Sequence, residues 1–233
     1  MLSKSIAIKL KAFFCLYKII NLQYLLIMNA NYIEFYFDCS SPWTYLAFTE
    51  ILKLSQRYSI KVKWKPILVG GVFNAVNHDV YEFRRKPNLL KLNYSNDDLQ
   101  LWSKVRGISI NFPKVFPVNS VKAMRGCLFA QKENMLVEYA NNVFKAYWSD
   151  GIDISNEDML LNIVKSSHLN TKKFIEFIYS QQCKDLLKEN TENLIKNGGF
   201  GSPTFFYNNH MFFGNDRLEL FEKLYKKGIL NSR

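Results

Sequence analysis

From Tyr32 onward the chain alternates and then runs apolar, as "YIEFYFD" over 32–38, the pattern of a buried strand. The run stops at Cys39-Ser40-Ser41-Pro42, and an aromatic-rich segment follows at once. Its apolar positions Tyr45, Leu46, Phe48, Ile51, Leu52 and Leu54 recur at helical spacing and carry a helix to about Tyr58. Pro42 suits the first helical position, where its missing N–H costs nothing, and Ser41 suits the N-cap before it. "IKVKWKPI" over 60–67 then alternates as a half-buried strand closed by Pro66. A strand, a helix and a strand in such quick succession form a βαβ unit, whose two strands are parallel.

From Gly70 to about Asn197 the character changes. An irregular loop is expected first, and helical periodicity then predicts helices over 97–107, 120–132, 135–148, 156–167, 171–180 and 182–196. Ser155-Asn156-Glu157-Asp158 has the form of a capping box, with Ser155 as N-cap and Asp158 in the place of the usual Glu. Sheet character returns after Ser202. Pro203 opens a strand of Thr204-Phe205-Phe206-Tyr207, Asn208-Asn209 makes a turn, and His210 to Phe213 pairs back as a hairpin. Asp216 can then cap a last helix with Leu218, Leu220, Phe221 and Leu224 facing inward. The pattern predicts an α/β chain of thioredoxin-like fold, with a large all-helical insertion between its βαβ and ββα halves. The core spans 31–69 and 198–228, the loop and helical insertion 70–197, and residues 1–30 form an N-terminal extension.

Composition narrows the function classes. Of 233 residues, 48% are hydrophobic and 15% aromatic, ample for a packed core. The formal charge of +11 is scattered, and its densest groups (Lys61-Val62-Lys63 with Lys65, Arg84-Arg85-Lys86, Lys226-Lys227) are short. Without a basic stripe or a recognition motif, nucleic-acid binding is not expected. Cys15, Cys39, Cys127 and Cys183 form no Cys-x-x-Cys pair, which argues against a disulfide framework, a dithiol redox site and a zinc site alike. Free thiols in a reducing, cytoplasmic setting are expected. His78, His168 and His210 show no ligand spacing, so no metal is expected. Residues 1–27 carry Lys4, Lys9, Lys11 and Lys18 and no acid. Lysines interrupt the apolar stretch there, so it makes no membrane span of roughly 20 apolar residues. A translation start at Met28 is the simplest account of this segment, with mitochondrial targeting as its alternative.

Six stretches in order resemble the glutathione-dependent 2-hydroxychromene-2-carboxylate isomerases and, more distantly, the kappa-class glutathione transferases, both DsbA-like thioredoxin relatives. They are "FYFDCSSPWTYLA" (35–47), "PILVGGVFNAVNH" (66–78), "KLNYSNDDLQLWSKVRG" (91–107), "FP" (116–117) with "AMR" (123–125), "FKAYWSDGIDIS" (144–155) and "GFGSPTFFYNNHMFFGNDRLEL" (199–220). The resemblance implies a glutathione-dependent isomerase acting on an aromatic 2-oxo acid, a small-molecule substrate, with a homodimer suggested by the kappa-class relatives. A kappa-like transferase or peroxidase, and a glutathione-binding protein without turnover, are the alternatives.

Residue by residue, the resemblance makes Ser41 the catalytic hydroxyl that holds the glutathione thiol. Physical reasoning agrees, because an O–H donor at a helix start lies beside unpaired N–H groups and the positive end of the helix dipole. An N-cap role alone is the lesser alternative, and the two roles can coexist. Cys39 is expected to be a buried structural thiol, on a strand whose alternation aims it the same way as Ser41. By resemblance Pro203 is cis and Ser202 pairs its backbone with the glutathione cysteinyl group, its own side chain mattering little. Asn215-Asp216 would grip the γ-glutamyl end, with Asn77 and Lys91 on the peptide backbone and glycyl carboxylate. Trp43, Phe73, Trp102, Trp148 and Phe213 are candidates for an aromatic slot and Arg125 for a carboxylate partner, though each has an ordinary role in packing or surface pairing.

Overall fold

The computed structural model describes residues 32–231, so the expectations for the N-terminal extension, its Met28 start and its targeting alternative lie outside the described residues. Strand β1 (Tyr32–Phe37) turns into α1 (Pro42–Tyr58), which returns to β2 (Lys61–Pro66). Helices follow: α2 (Val69–Val76), α3 (Asp79–Arg85), α4 (Leu89–Arg106), α5 (Val121–Lys132) and α6 (Leu136–Phe144), which runs on into a π-helical turn at Lys145–Ser149. After α7 (Glu157–Ser166), α8 (Thr171–Tyr179) and α9 (Gln181–Lys196), the chain re-enters the sheet as β3 (Thr204–Tyr207) and β4 (His210–Phe213) and closes with α10 (Arg217–Lys226).

The four strands form one mixed sheet in the order β2-β1-β3-β4. β3 runs antiparallel to β1, with Glu34 opposite Phe206 and Tyr36 opposite Thr204, so the end of β1 and the start of β3 lie together. That adjacency builds the site. β3 and β4 pair from Thr204–Phe213 to Tyr207–His210, and Asn208 and Asn209 both take positive φ (46° and 67°). Two left-handed residues match the right-handed strand twist, and asparagine adopts that conformation more readily than most residues.

The core sits where the sheet meets α1 and the helical segment. Phe37, Phe48 and Trp64 cluster with Phe144 from α6, and Tyr45 stacks on Phe144 at 5.1 Å between ring centres. The thioredoxin-like fold expected from the sequence is the fold observed, and three local readings need correction. The stretch after Gly70 is helical: α2, α3 and the first turns of α4 occupy the expected loop. α3 buries none of its residues, and the first turn of α4 leaves Leu89 and Leu90 at 68% and 82% exposure, so neither stretch carries the inward apolar stripe that marks a helix in sequence. The N-cap of α7 is Asn156, which accepts from the Met159 amide, while Ser155 bonds to Asp153. Asp216 stands at the start of α10 without a capping bond and pairs with Arg217 at 3.2 Å instead.

Candidate functional site

The site begins where β1 ends. Ser41 adopts an extended conformation (φ −107°, ψ 125°) and its Oγ accepts from the Thr44 amide at 3.3 Å, the N-cap expected for α1. The same hydroxyl donates to the Ser202 carbonyl at 3.3 Å. Ser202 precedes a cis bond to Pro203, which turns the chain into β3. The Ser202 side chain, expected to matter little, is itself structural. Its Oγ accepts from the buried Asp38 amide at 3.1 Å and lies 2.8 Å from the buried Thr44 Oγ1.

Asp38 anchors the underside of this corner. Its carboxylate is fully buried and accepts from Ser40 N (2.9 Å), Val69 N (2.8 Å) and Ser120 Oγ (3.1 Å). Burial nonetheless dominates and holds its pKa above the ordinary value of 3.8, because desolvation penalises the charged form more than those bonds favour it. One side chain thus fixes the ends of β1, α2 and α5 relative to one another.

Cys39 is fully buried, and burial, reinforced by neighbouring Cys127, raises its thiol well above the usual range. Its backbone N–H points to Met124 Sδ at 3.2 Å, and its carbonyl accepts from Trp148 Nε1 at 2.9 Å. The expectation of a structural thiol agrees with this burial. Its shared direction with Ser41 does not hold: β1 stops at Phe37, so strand alternation no longer governs residues 39 to 41.

Above the corner opens a cavity of about 930 Å³. Ser41 and Trp43 line it from α1, Ser202 and Phe213 from the sheet, Phe73 and Asn77 from α2, and Arg84 from α3. Phe112 and Phe116, on the connection from α4 to α5, complete an aromatic wall. Asn77 Nδ2 donates to the Phe200 carbonyl at 3.0 Å, tying α2 to the segment before β3.

Six of the expected residues therefore converge: Ser41, Trp43, Phe73, Asn77, Ser202 and Phe213, with Pro203 immediately behind Ser202. Others lie outside the lining. Lys91 is exposed on the first turn of α4. Asn215 is 2% exposed and turned inward, its Oδ1 accepting from Arg106 Nε at 3.0 Å, and the Arg106 guanidinium lies over the Trp102 ring at 4.7 Å. Asp216 faces Arg217. Arg125 donates to the Ile178 carbonyl at 3.3 Å, and Trp148 is buried against Cys39. Sequence reasoning missed Arg84, Phe112 and Phe116 as lining residues. Arg84 was legible only as one of a short basic group inside the supposed loop, and Phe116 only as half of a Phe-Pro pair.

Residues 32–226 match the family model described as the DSBA-like thioredoxin domain. The chain is 32% identical over 190 residues to a 2-hydroxychromene-2-carboxylate isomerase of Pseudomonas putida, covering 82% of this chain and 92% of that one. It is 27% identical over 208 residues to human glutathione S-transferase kappa 1, covering 82% and 89%. A solved 2-hydroxychromene-2-carboxylate isomerase superposes with a TM-score of 0.74 at 30% identity, covering 84% of this chain and 95% of the other.

Proposed function

The chain belongs to the DSBA-like thioredoxin-domain family, and from that membership and the chemistry of its cavity we propose that it is a glutathione-dependent isomerase of the 2-hydroxychromene-2-carboxylate type. The observation that carries the proposal is the Ser41 hydroxyl, held at the start of α1, on the cavity wall, beside the Ser202 backbone. Where a dithiol oxidoreductase would place a reactive cysteine, this chain offers a hydroxyl, which cannot shuttle electrons but can steady another molecule's thiolate.

Pro42 has no N–H, and the Thr44 amide is taken by Ser41 Oγ. The Trp43 amide is the first-turn donor that neither uses, and it adds to the favourable end of the helix dipole. A glutathione thiol seated there, with an ordinary pKa of about 8.5, is stabilised as thiolate by that terminus and by the Ser41 O–H. A shift of about 2 units, worth about 2.7 kcal/mol, takes the thiolate from about 3% to about 75% at pH 7. The proposal rests on Ser41, Asn77 and the Ser202–Pro203 backbone, and not on Lys91, Asn215 or Asp216, which lie outside the lining.

The thiolate adds to an electrophilic carbon of an unsaturated aromatic 2-oxo acid, forming a C–S bond while the displaced electron pair moves onto the conjugated carbonyl. Rotation about the resulting single bond, return of the electron pair and expulsion of the thiolate give the isomer and regenerate glutathione. Splitting one difficult rearrangement into addition and elimination lowers each barrier.

The test is a pH titration of glutathione thiolate absorbance with the chain and with Ser41→Ala. The expected result is a lowered thiolate pKa in the parent that returns towards the free value in the variant. No binding, or a pKa indifferent to Ser41, refutes the proposal. Product analysis then separates an isomer from the thioether that a kappa-like transferase would release, the second reading that the 27% identity to human glutathione S-transferase kappa 1 supports.

A further inference from the structure

Arg84 holds an unusual position among the arginines of the described residues. Arg57 pairs with Glu222 at 2.7 Å, Arg85 with Glu82, Arg106 with Glu50 at 3.4 Å and Arg217 with Asp216 at 3.2 Å, while Arg125 is tied to a backbone carbonyl. Among the described residues no carboxylate lies within ion-pair distance of Arg84. Its guanidinium instead sits between two aromatic rings, 5.6 Å from the centre of Phe73 and 5.7 Å from that of Phe116. All three side chains line the cavity that holds Ser41, and Phe112 meets Phe116 edge-on at 5.6 Å.

We propose that Arg84, Phe73 and Phe116 form a subsite for the carboxylate of a flat, apolar acid, distinct from the place where the thiol is held. The inference rests on the isomerase reading only for what that acid reacts with. A guanidinium held against ring faces keeps its edge N–H groups free, in the fork geometry that matches a carboxylate. The rings hold the fork without neutralising it, and they offer apolar surface beside it for the body of the acid. Asp79, the other charged residue that lines the cavity among the described residues, disfavours an anion at its own end of α3 and leaves Arg84 as the one cationic side chain among those described lining residues. At about 930 Å³ the cavity is at the upper end of the ligand-pocket range, about 300–1,000 Å³, with room for a second small molecule beside a thiol. Arg125, expected from the sequence to meet the carboxylate, is committed to Ile178 and lies outside the lining.

A carboxylate on Arg84 has two sources, an aromatic acid or glutathione itself, and the aromatic flanks favour the acid. The experiment measures binding of 1-naphthoate, 1-naphthol and glutathione, each alone, to the parent chain, Arg84→Gln, Arg84→Lys and Phe116→Leu by calorimetry. The parent should bind naphthoate more tightly than naphthol. Arg84→Gln should weaken naphthoate roughly 10- to 100-fold, the range for loss of a hydrogen bond to a charged group, and leave naphthol and glutathione within about twofold. Arg84→Lys should recover part of the loss, and Phe116→Leu should weaken both naphthyl ligands but not glutathione. Naphthoate binding that is absent, or indifferent to Arg84→Gln, overturns the subsite. So does a loss confined to glutathione, or shared equally by glutathione and naphthoate, either of which would make Arg84 a glutathione anchor. If naphthoate behaves as expected and glutathione binds nowhere, the subsite stands and the isomerase reading falls.

Discussion

Ser202→Ala removes one oxygen that serves two buried partners, and the cost can be worked from the structure. The Asp38 amide, whose residue is fully buried, loses its acceptor at 3.1 Å. A buried N–H left unmade costs about 1–3 kcal/mol. Thr44 Oγ1 loses a 2.8 Å partner but is a hydroxyl free to rotate about its own bond, so its share is smaller. The expected sum is about 2 kcal/mol. For a chain of this size a urea m-value of about 2 kcal/mol/M places the midpoint about 1 M lower, with the slope unchanged. Thr44→Val leaves Ser202 bonded to Asp38 and should cost about 1 kcal/mol. The double variant should then be less damaging than the two single losses added together, by about 1 kcal/mol, because the partners share a bond. Urea unfolding followed by circular dichroism reads all four proteins. A Ser202→Ala loss under about 0.5 kcal/mol, or strict additivity in the cycle, would refute the claim that this hydroxyl organises the corner.

Two further outcomes follow from packing and charge. Gly126 on α5 has no room for a side chain: an added Cβ would overlap the Tyr139 hydroxyl and approach its Cζ to 2.6 Å and Phe174 Cε2 to 2.7 Å, both rings being fully buried. Gly126→Ala should lose about 2 kcal/mol net of its helix-propensity gain, lowering Tm by about 5 °C in a thermal melt, and a rise in Tm would contradict the packing. Glu222 is held down to a pKa of about 2, first by the Tyr58 hydroxyl and then by Lys226 and Arg57. A depressed folded pKa gives stability that is present above the ordinary value of 4.5 and lost as pH falls towards 2, so the deficit of Glu222→Gln, about 1 kcal/mol at pH 7 after solvent screening, should shrink between pH 5 and pH 3. Denaturant midpoints across that window measure it, and a deficit that stays constant with pH would refute the assignment.

The two halves of the sheet were legible because each side chain there answers to one period. "YIEFYFD" and "TFFY" alternate or run apolar against a single core, and Ser41-Pro42 carries both cap and first-turn chemistry in adjacent residues. Helices α2 and α3 were not legible, because a helix that covers a cavity buries little: α3 contributes Arg84 to the wall and no residue to the core. The same cause hid Phe112 and Phe116, exposed at 54% and 42%, in a connection with no regular structure. Asn215 shows the opposite situation, a buried side chain. Its place beside Asp216 resembles a ligand pair, yet whether an asparagine faces a cavity or an arginine depends on where α4 ends, and Arg106 comes from 109 residues earlier in the chain.

The cavity consequently has two walls of different character. The thiol wall, from Asp38 through Thr44 to Ser202, is cross-tied by buried hydrogen bonds between distant parts of the chain, so changing it strains the fold. The opposite wall hangs on α3, whose residues are all outside the core, and on exposed aromatic side chains. Substitutions there meet solvent or ligand and few packed neighbours, where surface changes usually stay within about 0.5 kcal/mol. The division predicts a separable chemistry: the rigid wall sets how the thiol is ionised, and the lightly packed wall sets which acid meets it. Arg84→Gln should thus leave the unfolding midpoint where it is in the parent chain, in contrast to Ser202→Ala. A change in ligand preference at Arg84 can then be read as recognition, with no loss of fold to confuse it.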